Sequence, residues 1–295
     1  MKVIFANPMA NGDVFLSRNF VKLLMDSNPN NEYSYTMTRN FDICKDIPNL
    51  TCLTWSDIHP KYNINISSNW YKTPDDTLIL PIWYCSCNNI HFRGTNIQTY
   101  NEMFINESSR VGLSFPHNIN TDIIKLIPSV DFNMLATKEM DTILQEKQQG
   151  FEKTVLFCNN IPLSGQTDKI SIANIVNKVA SIKKNFLFVV SNKEEGINTN
   201  LPNVVFLNDI TKKDYDLLEC SYISTKCQYI IGRGSGPFVF SLIKENFERD
   251  NVTFLAFSDA TDASSFGLHK FFRKFSHEVN STPVNIERTL LTKLT

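Results

Sequence analysis

The stretch Tyr229-Ile230-Ile231-Gly232-Arg233-Gly234-Ser235-Gly236-Pro237-Phe238 decides the fold of this chain. It predicts an apolar strand that ends at Ile231 and a helix that begins at Pro237 and runs to about Asn246. Proline is favoured in a first helical turn because its ring presets the backbone and its missing N–H would have no partner there. The glycines allow close approach of a ligand, and the N–H groups at a helix start attract anions. The pattern is typical of a phosphate or diphosphate site with Arg233 as a second contact, although a tight turn without a ligand also explains it.

Composition limits the class of protein. The chain has 295 residues, of which 42% are hydrophobic and 20% charged, so we expect about two ordinary globular domains. A net charge of −1 argues against a partner held by its phosphate backbone, so no nucleic-acid role is expected. The N-terminus lacks a signal-peptide pattern, no apolar run approaches about 18 residues, and the seven cysteines are scattered. We therefore expect a cytoplasmic protein with free thiols and no metal site.

Strands and helices alternate along the first half. The apolar runs predict strands at 3–7, 33–37, 50–55 and 77–83, with helices at 14–26, 99–107, 121–126 and 131–149. The last helix ends in Gln148-Gln149-Gly150, and a fresh buried strand follows at once. This predicts a domain boundary near Gly150, with one domain at 1–149 and a second at 150–295.

The second half repeats the alternation with clearer signals. Strands are predicted at 154–158, 186–190, 204–207, 229–231 and 252–257, and helices at 170–183 and 213–226. This order predicts an α/β protein with two Rossmann-like domains, each a parallel sheet covered on both faces. Residues 267–279 are predicted as a last helix with Leu268, Phe271, Phe272 and Phe275 on one face. That face would pack back on the first domain or, in a second interpretation, dock on a membrane surface.

Small polar residues follow the strands of the second half, at the sheet edge where ligands bind in such folds. This predicts a ligand-binding rim in the second domain. Its candidate residues are Asn159, Gln166, Asn192, Asp209, Arg233, Gly234, Ser235, Gly236 and Pro237.

The start of the chain carries a second motif. Two α/β halves with a phosphate loop late in the second half resemble GT-B glycosyltransferases, whose two domains face each other across a cleft. The stretch Asn11-Gly12-Asp13-Val14-Phe15-Leu16-Ser17 is similar to the Gly-Asp-hydrophobic loop of the bacterial heptosyltransferase family. The resemblance implies that Asp13 is a catalytic base, and that Asn11 and Gly12 belong to an acceptor-side loop. An aspartate before a helix is also a good N-cap, which is the alternative role for Asp13.

The second half looks closer to glycosyltransferase-like domains of large viruses and some bacteria. The segments Leu163-Ser164-Gly165-Gln166, Ser221-Tyr222-Ile223-Ser224 and Gly232-Arg233-Gly234-Ser235-Gly236-Pro237 carry this resemblance. The Asp-(Ser/Thr)-Gly-x-x-His pattern of heptosyltransferase donor loops is replaced here by Arg233-Gly234-Ser235-Gly236-Pro237. The resemblance therefore does not extend to a heptose donor, and the sugar stays open.

Together these features predict an inverting, metal-independent glycosyltransferase. Its donor would be a nucleotide-diphosphate sugar, bound as a substrate without any cofactor, and its acceptor a glycan or glycolipid. Two alternatives stay open: a nucleotide-sugar epimerase of the same architecture, and a non-catalytic two-lobed nucleotide- or sugar-binding protein. A dehydrogenase fits poorly because residues 7–12 lack the spaced glycines of the dinucleotide fingerprint.

Overall fold

The structure, a computed structural model, describes residues 1–38, 41–83, 96–116, 123–159, 172–214, 217–233, 236–258, 267–279 and 281–295. The chain divides into two compact units, Met1–Asp131 and Phe132–Thr295. This division lies before the predicted boundary at residue 150, because the helix at Thr137–Gln148 belongs to the second unit. In that helix, the carboxylate of Asp141 accepts a hydrogen bond of 2.7 Å from the hydroxyl of Tyr222.

Unit 1 is built on a five-stranded sheet. Its strands are β1 (Lys2–Ala6), β2 (Glu32–Met37), β3 (Leu50–Thr54), β4 (Tyr71–Lys72) and β5 (Leu78–Pro81). They are ordered β3-β2-β1-β5-β4, and only β4 runs antiparallel to its neighbour. The four strands predicted from apolar runs are confirmed. Strand β4 was not predicted because two residues without an apolar run give no periodic signal.

Helices cover both faces of the unit 1 sheet. They are α1 (Asn11–Ser27), α2 (Trp55–Tyr62) and α3 (Asn96–Arg110). Helix α1 buries Phe15, Leu16 and Phe20, and the ring of Phe20 lies 5.7 Å from that of Tyr100 on α3. Apolar residues of α2 pack on the opposite face. Helix α1 begins three residues before the predicted start at Val14, so Asp13 lies inside its first turn.

Unit 2 contains a six-stranded sheet in which every pair is parallel. Its strands are β6 (Lys153–Cys158), β7 (Phe186–Val190), β8 (Val204–Phe206), β9 (Tyr229–Arg233), β10 (Thr253–Ser258) and β11 (Phe275–Val279), ordered β11-β10-β9-β6-β7-β8. Its helices are α4 (Thr137–Gln148), α5 (Ala173–Ile182), α6 (Leu207–Thr211), α7 (Leu217–Ser224), α8 (Pro237–Phe240), α9 (Lys244–Phe247) and α10 (Pro283–Lys293). The single helix predicted after Pro237 is thus two short helices, α8 and α9. The prediction of two separate parallel sheets is confirmed.

The prediction of a helix at residues 267–279 is wrong. Leu268–Lys270 form one 3₁₀ turn, and β11 then pairs with β10. Phe275 stacks on Phe254 of β10 at 5.1 Å, whereas Phe271 is 43% exposed. The aromatic residues recur at a spacing that fits a helix, but pairing with the sheet edge determines their conformation. The interpretation that this segment docks on a membrane depended on an amphipathic helix at residues 267–279, and the segment does not form that helix.

The last helix of the chain is α10, and it packs within unit 2. Ile286 and Leu290 belong to the same buried cluster as Ile175 and Val179 of α5. Between these two helices, the ammonium of Lys178 lies 2.6 Å from the carboxylate of Glu287. In the part of the chain that the structure describes, no helix combines the length and apolarity needed to cross a membrane.

Candidate active site

Asp13 is the third residue of α1. The N-cap position is occupied by Ala10, whose side chain makes no capping hydrogen bond, so Asp13 is not the N-cap residue. Burial raises the pKa of the Asp13 carboxyl from its ordinary value of 3.8 to about 6, although hydrogen bonds from the backbone N–H groups of Ala10 and Asp13 act in the opposite direction. A carboxylate with a pKa just below neutral is ionised at pH 7 and still basic enough to accept a proton.

A buried hydrogen-bond network supports the loop that leads to Asp13. The amide of Asn7 donates to the hydroxyl of Tyr35 at 3.1 Å, and this hydroxyl lies 2.8 Å from that of Ser17. Ser17 also donates to the carbonyl of Val14, while the side-chain oxygen of Asn7 accepts from the N–H of Met9 at 3.0 Å. Complete burial raises the pKa of Tyr35 well above its ordinary value, so its hydroxyl stays neutral. No local sequence pattern indicates this network, because it joins residues 28 and 18 positions apart.

Sheet order places this loop at a typical ligand-binding position. Strand β1 is followed by a helix and then by β2 on one side, while β5 pairs on its other side. Ligands in open parallel sheets bind beyond the carboxyl ends of strands where the order reverses in this way. The half-buried Asn11 and Gly12 form the start of α1 directly beyond β1, beside Asp13.

The second sheet reverses its order between β6 and β9. Arg233 ends β9 and Asn159 follows β6, and the Arg233 guanidinium donates a hydrogen bond of 2.8 Å to the Asn159 carbonyl. Arg233 is only 2% exposed. The structure thus brings together two of the predicted rim residues, but it uses at least part of the guanidinium to hold the rim itself.

The side chain of Asn159 builds the neighbouring loop. Its amide nitrogen donates to the carbonyl of Asn192 and to the carboxylate of Glu194, both at 3.0 Å. Its oxygen accepts from the hydroxyl of Ser191 at 3.0 Å and from the N–H of Asn192 at 2.9 Å. Four partners use the hydrogen-bonding capacity of this amide, so Asn159 acts on the loop more than on a ligand.

Two other predicted rim residues remain accessible. Asn192 has an exposed side chain in the loop after β7. Asp209, in the first turn of α6, has a side chain that is 47% exposed and lies 3.5 Å from the ammonium of Lys193. Lys193, which sequence analysis did not select, adds a cation to this edge and lies over the ring of Phe206.

Two glycines near β9, Gly232 and Gly236, are favoured at their positions for different structural reasons. A Cβ on Gly232 would lie 2.7 Å from Cβ of Cys158 and 2.9 Å from the ring of Phe238, so packing excludes any side chain there. Gly236 has φ of +52°, a conformation that favours glycine, and it immediately precedes Pro237 at the start of α8. Gln166, Gly234 and Ser235 lie outside the described residues.

None of the described cysteines forms a disulfide bond. The described cysteines, Cys44, Cys52, Cys158, Cys220 and Cys227, carry free thiols, and all but Cys52 are buried. These four buried cysteines occupy core positions, as small apolar residues do. Over the described ranges, no group of three or more His, Cys, Asp and Glu residues is arranged to hold a metal ion.

Comparison with known proteins gives a structural likeness only. No family model and no curated protein matches this sequence. Among solved structures, the chain is similar to the glycosyl transferase family 9 protein from Veillonella parvula DSM 2008, with a TM-score of 0.60, 12% identity and coverage of 99% of this chain and 96% of that one. It is also similar to the E. coli ADP-heptose lps heptosyltransferase II, with a TM-score of 0.58, 11% identity and coverage of 100% and 99%.

A third structure extends the likeness to a complex with a nucleotide sugar. E. coli heptosyltransferase WaaC with ADP-2-deoxy-2-fluoro heptose has a TM-score of 0.56 and 9% identity, and the match covers 98% of this chain and 99% of that one. At such identities the likeness establishes the fold. The chain has the α/β fold of GT-B glycosyltransferases, with one Rossmann-like sheet in each of its two units.

Proposed function

We propose that this protein is a glycosyltransferase that moves a sugar from a nucleotide-diphosphate donor to a glycan or glycolipid acceptor. The observation that carries the proposal is the Asp13 carboxyl, whose pKa is raised to about 6 at the carboxyl end of the first strand. The shared fold supports it, because similar folds occur in a family 9 glycosyl transferase and in heptosyltransferases.

The proposed reaction is a single displacement. Asp13 accepts the proton of an acceptor hydroxyl while the hydroxyl oxygen forms a bond to the anomeric carbon of the donor sugar. The bond from that carbon to the diphosphate oxygen breaks, and the diphosphate leaves with the electron pair. Attack from the face opposite the leaving group inverts the anomeric centre. Base catalysis of this kind is typically worth about 10²–10⁴-fold in rate.

The leaving diphosphate would bind on unit 2. We assign its binding to the turn between β9 and α8, where Gly236 has a φ of +52° and carries no side chain that would keep a phosphate from the backbone. Arg233 adds positive charge at the end of β9, so we propose departure without a metal ion. Asn192 and Asp209, both accessible at the same sheet edge, are assigned to the ribose or base. Gln166, Gly234 and Ser235 stay in the proposed donor site on sequence grounds alone.

The state of the cysteines bears on the compartment in which the protein works. We propose that the protein works in the cytoplasm, and the free thiols of its described cysteines agree with a reducing compartment. The donor and acceptor are its only proposed partners.

A ligand screen and one variant test the proposal. Melting temperature should rise with at least one of UDP, GDP, dTDP, CMP and ADP and rise less with the matched nucleosides at the same concentration, since stabilisation grows with the affinity of a ligand that binds only the folded state. The nucleotide sugar of the base that binds is then used to measure transfer by wild type and Asp13→Asn. The proposal fails if no nucleotide shifts the melting temperature, or if Asp13→Asn transfers sugar at the wild-type rate.

A further inference from the structure

Two cysteines of unit 1 lie side by side at the edge of its sheet. Cys44 ends a 3₁₀ turn at Phe41–Cys44 that packs against β3, and Cys52 is the third residue of β3. Strand β3 is an edge strand of the five-stranded sheet. Cys44 is fully buried, whereas Cys52 is half-buried and so keeps some exposed surface. The two side chains hydrogen-bond to each other, so their sulfur atoms are neighbours.

This contact makes the two thiols chemically unequal. The hydrogen bond that Cys44 donates to the sulfur of Cys52 is the largest cause that raises the pKa of Cys44 and lowers the pKa of Cys52. The thiolate is the nucleophilic form of cysteine, and a sulfur that accepts hydrogen bonds remains a nucleophile because these bonds favour the thiolate. Cys52 is therefore the more reactive thiol of the pair, and it is also the one with exposed surface.

The three described cysteines of unit 2 are in a different environment. Cys158, Cys220 and Cys227 are at most 1% exposed. Burial is the main cause that raises the pKa of the Cys227 thiol, although the charge of Arg249 acts in the opposite direction. Buried thiols with little thiolate character react slowly with oxidants. An accessible cysteine of lowered pKa beside a second thiol is instead typical of a redox-sensitive pair.

We propose that Cys44 and Cys52 form a reversible disulfide when the protein meets hydrogen peroxide, with Cys52 as the attacking thiol. The Cys52 thiolate attacks one peroxide oxygen, the O–O bond breaks, and the departing hydroxide takes up a proton to become water. The sulfur of Cys44 then attacks the sulfur of the resulting Cys52 sulfenic acid. The S–O bond breaks, and hydroxide leaves with the proton of the Cys44 thiol as a second water. The two thiols are thereby oxidised by two electrons, and the peroxide is reduced to water.

The surroundings of Cys44 favour the second step. Once Cys52 is a sulfenic acid, it carries no negative charge that opposes ionisation of Cys44, and the Arg18 guanidinium stabilises the Cys44 thiolate. A hydrogen bond of 2.8 Å to the carbonyl of Ile43 holds this guanidinium next to Cys44. The disulfide would join the 3₁₀ turn to β3 beside Tyr35, which is the register partner of Cys52 on β2.

Peptide mapping without reductant tests the inference on the full chain. Trypsin cleaves after Lys45 and so separates the two cysteines. We expect a stoichiometric amount of hydrogen peroxide to join the two peptides into one species that has lost two hydrogen atoms and that dithiothreitol splits again. Cys52→Ser should keep an unmodified Cys44. Cys44→Ser should stop at the sulfenic acid of Cys52, which dimedone traps.

The cysteines of unit 2 serve as controls within the same samples. Cys158, Cys220 and Cys227 should remain thiols at the same peroxide dose, because they are buried. Modification of these three at the rate of Cys52 would show general oxidation of the chain and would overturn the assignment of a specific site.

The remaining outcomes also decide the inference. A Cys44–Cys52 disulfide in wild type that is absent from Cys52→Ser supports it. The inference is overturned if Cys52 stays a thiol, if it pairs with any other cysteine, or if it proceeds to the sulfinic acid while Cys44 stays reduced. Should Cys44→Ser not fold, wild type and Cys52→Ser decide, since the second substitution is at a half-buried position. These measurements need neither nucleotide nor sugar, so a negative result leaves the proposed function as it stands.

Discussion

The guanidinium of Arg233 donates a 2.8 Å hydrogen bond to the main-chain carbonyl of Asn159 and so joins the ends of β9 and β6. These two strands are neighbours at the point where the order of the unit 2 sheet reverses. Asn159 in turn holds the loop after β7 through its side chain. A chain of contacts thus runs from Arg233 across three strand ends, and it fixes the shape of the rim proposed to bind the donor.

Asn159→Asp tests how much this loop depends on the amide. The substitution removes the donor to the Asn192 carbonyl and places a second carboxylate about where the amide lies 3.0 Å from Glu194. We expect the free energy of unfolding at pH 7 to fall by about 1–3 kcal/mol, measured by urea denaturation. Asn192→Asp is the control, because that side chain is exposed, and it should change stability by less than about 0.5 kcal/mol. Equal losses in the two variants would contradict the assignment.

Asp13→Asn should change stability in a way that depends on pH. The pKa of Asp13 in the folded protein, about 6, lies above its ordinary value of 3.8. The protonated carboxyl therefore favours the folded state fully below pH 3.8, and this contribution is lost as pH rises through 6. Above pH 6 the ionised group costs up to about 3 kcal/mol, from a difference of about two pKa units. Asparagine does not ionise, so the variant should gain stability relative to wild type between pH 4 and pH 8.

Denaturant unfolding at pH 4 and pH 8 measures this difference, and the transfer rate is measured on the same samples. Asp26→Asn, near the exposed end of the same helix, is the matched control and should show no comparable gain. If Asp13 is the base, turnover should fall by about two to four orders of magnitude while stability at pH 8 rises. A variant that is less stable than wild type at pH 8 would show that Asp13 serves the helix start instead.

Tyr35→Phe should weaken the support of the catalytic loop. It removes the hydroxyl that bonds to Asn7 and Ser17 and leaves two buried polar groups without that partner. We expect a loss of about 1–3 kcal/mol in unfolding free energy. Because the loop positions Asp13, kcat should fall while KM for the donor stays constant. Tyr62→Phe, in the small core under α2, is the control and should have little effect on either quantity. A destabilised but fully active Tyr35→Phe would limit the network to a structural role.

Gly232→Ala should destabilise unit 2 through packing alone. The new Cβ would lie 2.7 Å from Cβ of Cys158 on β6 and 2.9 Å from the ring of Phe238 on α8, and both neighbours are buried. Overpacking of this kind typically costs about 1–3 kcal/mol, measurable as a lower melting temperature. Gly112→Ala provides the contrast, since its Cβ meets nothing within 4 Å and only the positive φ of +75° opposes it. A larger loss at Gly112 than at Gly232 would refute the packing explanation.

Local patterns predicted most of the regular structure. The strand at Phe186–Val190 was predicted to the residue, because five consecutive apolar residues satisfy a strand buried on both faces in any parallel sheet. The start of α1 was misplaced by three residues, since Asn11-Gly12-Asp13 has the composition of a loop. The prediction for residues 267–279 failed for a different reason. Their aromatic spacing fits a helix, but the edge of β10 offers a row of backbone N–H and C=O groups, and residues 275–279 pair with it.

The sequence by itself determined that this chain forms two parallel α/β sheets, because strand and helix periodicities alternate along it, and it singled out Asp13 and the Gly-rich turn. Only the tertiary structure decided what these residues are able to do. Burial raises the pKa of Asp13, Tyr35 supports its loop, Arg233 holds Asn159, and His277 comes next to Ser258. Each of these depends on contacts between residues distant in sequence, and desolvation and hydrogen-bond geometry exist only once sheet order has brought such residues together.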